Sequence, residues 1–378
     1  MNVKYKIMGV VKAYMPMWLR ASVRRNYSLS EFDRARRLEA DPTLLSTAEE
    51  FEASPVRLGI VMDTTQSHRH YIAACREMKI SYGVLDLLAD DWVDRFTQSG
   101  YDAFLVWPSA SGSMIKTAFD MRLKILEEDM GMRIFPTWKE CWLTEYKLRL
   151  RDWLQVHQIP HPKTWVFYEY AAAKAFCASA PLPIVVKTAT GASGSGVRII
   201  KTRAQLMRIA RQFFSSGIQI RAFEPWDKQK GYLFLQEYLA DAAEWRMVRI
   251  GDSFFGYRKE KGADGKHSAS HKWSWLDPGE ALLTLLKRVT DIQGFKSMNV
   301  DIFKLPDGRL LVNECQTVFG CTTPAIQMKV NEQEGRYLFE DGKWRFEAGE
   351  FSAHHVCNLR LQYLLGSIGH QGGDTDKP

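Results

Sequence analysis

One stretch with chemical potential is LPIVVKTATGASGSGVRII, residues 182–200. A β-rich run (Ile184, Val185, Val186) ends in Lys187, and a loop of small residues follows: Gly191, Ala192, Ser193, Gly194, Ser195 and Gly196. Val197 to Ile200 form a second β-rich run. Strand, glycine loop, strand predicts a hairpin. Glycines let backbone N–H groups approach a ligand closely. Several N–H groups aimed one way make an anion nest, and Lys187 adds a full positive charge suited to phosphate. The loop is not a P-loop, since no Gly-Lys-Ser/Thr follows it and no helix opens after it. The pattern alone also fits a flexible surface hairpin.

A second stretch is acidic. MNVDIF places Asp301 inside an apolar strand, a Pro306-Asp307-Gly308 turn reverses the chain, and RLLVNECQ returns with Asn313, Glu314 and Gln316. A lone buried carboxylate is costly, so such groups need partners. Glu314 and Gln316 are two residues apart on a strand and point to one face, while Cys315 points to the other. Asp301 can lie opposite them. Two carboxylates and an amide oxygen make a hard oxygen set suited to Mg²⁺. The competing explanation is a structural ion pair with Arg246 or Arg258.

The elements that must hold these groups follow from periodicity. Arg57 opens an alternating α/β series: strands at RLGIVMD, ISYGVLDL, YDAFLVW and MRIFP, with helices at Tyr71–Met78, Asp90–Gln98 and Ser113–Met130. That alternation predicts a parallel sheet, and ligands sit beyond the carboxyl ends of such strands. Asp63 to His70 and Pro108 to Gly112 are thereby placed at a substrate mouth, although His68 and His70 also read as solvated loop residues. Thr137 to His157 is expected to be one helix, on which Lys147 alone reads as solvated. After the glycine hairpin come a helix (Thr202–Phe214), the strand YLFLQEYL, a hairpin of EWRMVRIG and SFFGYRK, a polar loop (Lys261–Lys272) and a helix (Pro278–Gln293). Glu244 and Arg246 share one strand face and Arg249 takes the other. Past Gly320, Asp341-Gly342 turns a second hairpin, and Asn358–Leu365 reads as helix.

Composition narrows the class. The chain has 378 residues and a formal net charge of +7, and residues 1–37 hold nine Lys or Arg against Glu31 and Asp33. The basic character therefore belongs to a leader segment, and no nucleic-acid-binding signature is present. That segment carries Trp18 among apolar and basic residues at roughly helical spacing, a pattern compatible with peripheral contact at an anionic membrane surface. It contains neither a secretion signal nor a transmembrane span. Six scattered cysteines without zinc spacing fit free thiols in a reducing cytoplasm.

Taken in order, the lysine before the glycine hairpin, the strand ending QEYL and the acidic strand pair with Glu-x-Gln resemble the ATP-grasp superfamily over about residues 57–320. The resemblance implies a fold class of α/β and α+β, with a parallel pre-ATP-grasp domain followed by two α+β subdomains clamping a nucleotide. The expected division is a basic segment 1–54, an α/β domain 55–136, a small subdomain 137–240, a C-terminal subdomain 241–365 and a disordered tail 366–378. By resemblance, Lys147 and Lys187 hold the α- and β-phosphates of ATP, and the loop Gly191–Gly196, with Ser193, Gly194 and Ser195, folds over them. Gln236, Glu237, Tyr238 and Leu239 line the adenine pocket, Glu244 bonds the ribose, and Asp301, Glu314 and Gln316 hold Mg²⁺. Relatives usually have Asn where Gln316 stands. Many ligases carry Arg at the place of Asn299, a charge that Arg246 or Arg258 would supply here, so Arg246, Arg258 and Lys187 are the expected catalytic cations. The family's usual reaction joins a small-molecule carboxylate to an amine through an acyl phosphate; some members are kinases, and a nucleotide-binding protein without turnover is a third outcome. A homodimer is allowed. A polar, cationic pocket of His68, His70, Ser109, Ser111, Arg246, Arg258, Lys259 and His267 suggests an anionic substrate.

Overall fold

The computed structural model describes residues 48–371 except 111, 192–193, 195, 221–226, 261–272 and 318–327. The basic leader, the loop Lys261–Lys272 with His267, and Ser111, Ser193, Ser195 and Cys321 lie outside the described residues. Among the described residues, no helix is long and apolar enough to cross a membrane.

The first layer runs β1 (Ala48–Glu49), β2 (Arg57–Val61), α1 (Arg69–Glu77), β3 (Ser81–Leu85), α2 (Trp92–Gln98), β4 (Ala103–Val106), α3 (Ser113–Lys124) and β5 (Ile134–Phe135). Its sheet has the order β1-β3-β2-β4-β5, with β2, β3, β4 and β5 paired in parallel. The runs Leu58–Val61 and Ala103–Val106 are buried throughout, as a sheet covered on both faces requires. The helix expected to reach Met130 ends at Lys124 and relaxes into a π-helical turn, Ile125–Asp129.

The long helix expected over Thr137–His157 is two helices, α4 (Trp138–Leu143) and α5 (Lys147–Val156). The break falls at Glu145, whose φ of 54° no helix accommodates. A capping box at Thr137 and Glu140 starts α4. A second sheet follows from β6 (Thr164–Phe167), α6 (Tyr170–Ser179), β7 (Ile184–Lys187), β8 (Val197–Ile200), α7 (Arg203–Phe214), the ribbon β9 (Ile218–Gln219) with β10 (Lys228–Gln229), and β11 (Leu233–Glu237). Its order is β6-β11-β7-β8, antiparallel throughout. Its core draws Ala173 and Cys177 from α6, and Leu206, Ile209 and Phe213 from α7, onto one face.

The third sheet is built from β12 (Ala243–Ile250), β13 (Ser253–Lys259), β14 (Trp273–Ser274), α8 (Gly279–Asp291), β15 (Ser297–Lys304), β16 (Leu310–Gln316), β17 (Met328–Val330), β18 (Gln333–Glu340) and β19 (Lys343–Ala348). The path is β16-β15-β12-β13-β18-β17, with β14 on β13 and β19 on β18. Leu150, Trp153 and Leu154 of α5 share one core with Leu282, Leu286 and Val289 of α8 and Met247, Val300 and Val312 of the sheet. Helix α5 therefore carries Lys147 on an element anchored to the third sheet. The last helix, α9 (Cys357–Gln371), returns to the first layer, where Leu361 and Leu364 pack with Tyr71 and Ile72. It runs on through Gly366, where a disordered tail was expected.

Candidate active site

Strand β7 ends at Lys187 because the chain must then open the glycine loop. Thr188 N–H donates to Gly196 O (3.0 Å) and Val197 N–H to Gly194 O (3.1 Å), closing the hairpin around the loop. Gly191 (φ 120°) and Gly194 (φ 69°) take conformations that side chains disfavour. Helix α5 begins against this loop, its Lys147 N–H donating to Ala189 O at 2.8 Å. The Lys147 ammonium donates to Gly191 O at 3.0 Å and sits 3.7 Å from Glu314 Oε1. Lys187, buried in the cleft, donates to Asn313 Oδ1 at 2.8 Å. Burial lowers its pKa to about 8, against the opposing pull of Glu314. The hydroxyl of Thr190 is buried in the same loop with no hydrogen-bond partner.

Beneath these lysines, an open cleft is lined by Leu150, Leu154, Thr164, Phe234, Gln236, Val312 and the two lysines, among others. Gln236 is buried and donates to Thr164 Oγ1 at 3.2 Å. Glu237 points elsewhere, accepting the Lys163 N–H at 2.7 Å on an exposed edge. Tyr238 and Leu239 follow β11 as half-buried residues.

On the facing sheet the register sets Asp301 opposite Glu314 and Asn299 opposite Gln316, so four oxygen-bearing side chains share one face. Arg246 clamps Asp301 through two hydrogen bonds (3.0 and 3.1 Å), Lys259 donates to Asp301 Oδ2 at 2.6 Å, and Asn299 Nδ2 donates to Oδ1 at 3.3 Å. Lys259 also donates to Glu244 at 2.6 Å. Burial alone would raise the Asp301 pKa, but Arg246 and Lys259 hold its carboxyl below the usual carboxylate range. Glu314 is less encumbered, its side chain 26% exposed. Asn299 Oδ1 is buried without a hydrogen-bond partner. Cys315 turns into the core, as strand alternation requires.

The structure thus brings together Lys147, Lys187, Gly191, Gly194, Gly196, Gln236, Glu244, Arg246, Asp301, Glu314 and Gln316. It leaves Arg258 out: on β13 it alternates with Lys259, and its guanidinium, 40% exposed, pairs with Glu260 at 3.3 Å. The histidines expected as solvated loop residues are not so. His68 is buried with Nδ1 2.9 Å from Asp63 Oδ1. His70 stacks on His355 with ring centroids 3.8 Å apart. Ser109 accepts the Thr64 N–H at 2.8 Å.

Sequence reading missed Asn313 and Glu145 as site residues, and it named Lys259 for the substrate pocket without foreseeing its hold on Asp301 and Glu244. Burial raises the Glu145 pKa to about 7, with Glu314 adding to the rise and Lys147 opposing it. Asn313 owes its placement to a bulge that no periodicity reveals.

No protein-family model matches the chain, and no curated protein matches its sequence. Solved structures do. The biotin carboxylase domain of the 2-oxoglutarate carboxylase of Hydrogenobacter thermophilus, solved with Mg-ADP, ADP and bicarbonate, superposes with a TM-score of 0.54 at 15% identity over 72% of this chain and 66% of that one, just under two thirds of its length. D-cycloserine synthetase matches at 0.53 and 17% identity, over 82% of this chain and 99% of that one. The D-alanine–D-alanine ligase of Bacillus anthracis matches at 0.52 and 15%, over 84% of this chain and 100% of that one. The fold is that of the ATP-grasp superfamily, in its mixed α/β form.

Proposed function

We propose that this chain is an ATP-dependent ligase that joins a carboxylate to an amine on a small-molecule substrate, releasing ADP and phosphate. The observation that carries the reading is the convergence of Lys147, Lys187 and the glycine loop on one wall of a cleft whose other wall is the oxygen-rich β15–β16 pair. In this reading Lys147 and Lys187 hold the α- and β-phosphates, with the loop Gly191–Gly196 closing over them. The segment Gln236–Leu239 borders the adenine, and Glu244, fixed by Lys259, accepts from the ribose.

The donor set fits a hard divalent cation. Glu314, Gln316 and the orphaned Asn299 Oδ1 present oxygens on one face. Asp301 accepts four hydrogen bonds, which uses all its lone-pair sites, so it serves there through Arg246 and Lys259 unless they turn to phosphate. Among the described residues no cluster of three His, Cys, Asp or Glu is arranged for a metal. When bound, Mg²⁺ would neutralise phosphate charge.

The chemistry asks the protein mainly for positioning and charge. A substrate carboxylate oxygen attacks the γ-phosphorus, the bond to ADP breaks, and an acyl phosphate forms. The amine then attacks the carbonyl carbon, the carbon–oxygen bond to phosphate breaks, and the amine loses a proton. Arg246 and Lys259, side by side on the sheet, are the cations placed to stabilise the γ-phosphate and then the tetrahedral oxyanion. The test is a screen of acids and amines for substrate-dependent ADP release, with Lys187→Ala as the blank and hydroxylamine as the trap. ADP release with a hydroxamate supports the ligase. A stable phosphorylated product that no amine consumes overturns it in favour of a kinase.

A further inference from the structure

The β15–β16 ladder pairs Asp301 with Glu314 but Ile302 with Val312, so Asn313 is an extra residue in β16. Strand alternation would send neighbours Asn313 and Glu314 to opposite faces. The bulge cancels that alternation, as bulges beside active sites do when they re-aim a side chain. Asn313 lines the cleft with Lys147, Lys187 and Gln236, while Glu314 faces Lys147 from the same strand. The Asn313 side-chain oxygen Oδ1 then accepts from Lys187 Nζ across the gap between the third sheet and the second, 126 residues away, at 2.8 Å.

The charge state of that partner is the informative feature. Among the described residues no carboxylate lies within ion-pair distance of the Lys187 ammonium. Lys147 donates to a neutral acceptor, Gly191 O, and makes a looser ion pair with Glu314 at 3.7 Å. Arg246 and Lys259, a few residues off on the same face, are instead held against carboxylates. Among the described cations of this site, Lys187 is therefore the one oriented by an amide with no carboxylate within ion-pair distance. An amide fixes the direction of an ammonium, yet leaves its charge available to an incoming polyanion.

We propose that Asn313 is a positioning residue for the nucleotide. Through a neutral hydrogen bond it aims Lys187 at the phosphates while keeping that lysine's charge unspent. This inference rests on the nucleotide reading of the cleft.

The discriminating comparison is Asn313→Asp against Asn313→Ala, with Mg-ADP affinity read by calorimetry and folding read by thermal melting. Asp is the near-isostere, so a purely structural role would make it the milder change. The proposal reverses that order. Asn313→Asp should create a buried ion pair with Lys187, hold or raise the melting temperature, and weaken Mg-ADP by about tenfold or more, as for a lysine whose charge is already taken. Asn313→Ala should weaken Mg-ADP by only about two- to fivefold, the loss of one neutral hydrogen bond. Asn313→Ser, which restores a short neutral acceptor, should lie no further from wild type than Ala. Asn313→Asp binding within twofold of wild type, or more tightly than Ala, would overturn the inference while leaving the nucleotide site standing. Failure of the unmodified protein to bind Mg-ADP would overturn the site reading and this inference with it.

Discussion

Asp227 and Ser113 lie 114 residues apart, and the aspartate carboxylate accepts both the Ser113 N–H, at 2.6 Å, and the Ser113 hydroxyl. Ser113 opens α3, whose own N-cap, Gly112, has no side chain to offer. Asp227 lies just before β10, beside the second sheet, so one carboxylate caps a helix of the first layer from another part of the fold. A negative group there also meets the positive end of the helix dipole. Replacing it with Ala removes the cap and should lower unfolding free energy by about 1–2 kcal/mol. Urea denaturation measures this, and Asp227→Asn, which can still accept, should recover part of the loss. Equal losses for both variants would mean that the contact contributes by charge alone.

Lys187 sets a pH dependence on the alkaline side. Its folded pKa of about 8 lies below its ordinary 10.5 because burial disfavours the charged form. Sign follows from linkage: between about 8 and 10.5 the unfolded chain binds the proton that the fold has released, so stability rises with pH in that window. Nucleotide binding runs the other way. A phosphate needs the ammonium, so Mg-ADP affinity should fall by up to about tenfold per pH unit above 8. The fall should vanish in Lys187→Arg, whose guanidinium stays charged throughout. Calorimetry from pH 7 to 10 decides it.

Much of this was legible in the sequence, and the reasons for the remainder are physical. The glycine hairpin, the alternating first layer and the Asp301/Glu314 face were readable because backbone conformation and period-two alternation are local. The break at Glu145 was not readable, since Thr144 to Tyr146 contain no Gly or Pro and φ is positive at a residue that seldom takes it. The partners of Asp301 depend on register between strands distant in sequence. Period two gave Arg246 the correct face, but the competition of Arg246, Lys259 and Asn299 for one carboxylate could be seen only once the register was known. Arg258 was misjudged for the converse reason, because it and Lys259 could not be assigned to faces without that register.

The Asp301 clamp carries its own prediction. Removing the carboxylate leaves Arg246 and Lys259 close together with their shared counter-charge lost, and breaking such a buried pair costs about 3–5 kcal/mol. Asp301→Ala should therefore unfold at markedly lower urea. A second substitution, Lys259→Met, should return part of that stability, because it removes the like charge that then repels Arg246, offset in part by loss of the Lys259–Glu244 pair. Additive losses in the double variant would show that the two residues are not coupled.

At the acid end, the His70–His355 stack should limit stability. Burial, reinforced by His355, Arg69 and His354 and opposed by Asp63, pushes the His70 pKa down to about 3. His355 is lowered by burial and by Arg69, Arg360 and His354. The unfolded chain takes up these protons near pH 6.5 and the fold refuses them, so stability falls as pH drops from about 6.5 towards 3. His70→Phe retains a ring for stacking and should make that fall shallower, leaving the His355 share. Chemical denaturation at pH 7, 6, 5 and 4 reads the slope; an unchanged slope would remove His70 from the account.

Gly196 offers a steric test of the glycine loop. A Cβ built there would stand 1.7 Å from Thr188 Oγ1 and 2.9 Å from Thr188 Cβ. Thr188 cannot step aside cheaply: it is buried, β-branched and therefore stiff at χ1, and its hydroxyl donates to Thr190 O at 2.7 Å. Its N–H also donates to Gly196 O at 3.0 Å, so the two residues are held face to face at the base of the hairpin. Gly196→Ala must therefore displace the loop, at a cost of about 1–3 kcal/mol for overpacking. Mg-ADP affinity should fall with it, because the backbone at Gly194 and Gly196 shifts with the hairpin they close. Thr188→Gly removes both clashing atoms. Combined with Gly196→Ala, it should recover stability relative to the sum of the single losses, a coupling that a double-mutant cycle measures directly. Independent, additive effects would show that the loop has room at Gly196 and that its glycine is not a steric requirement.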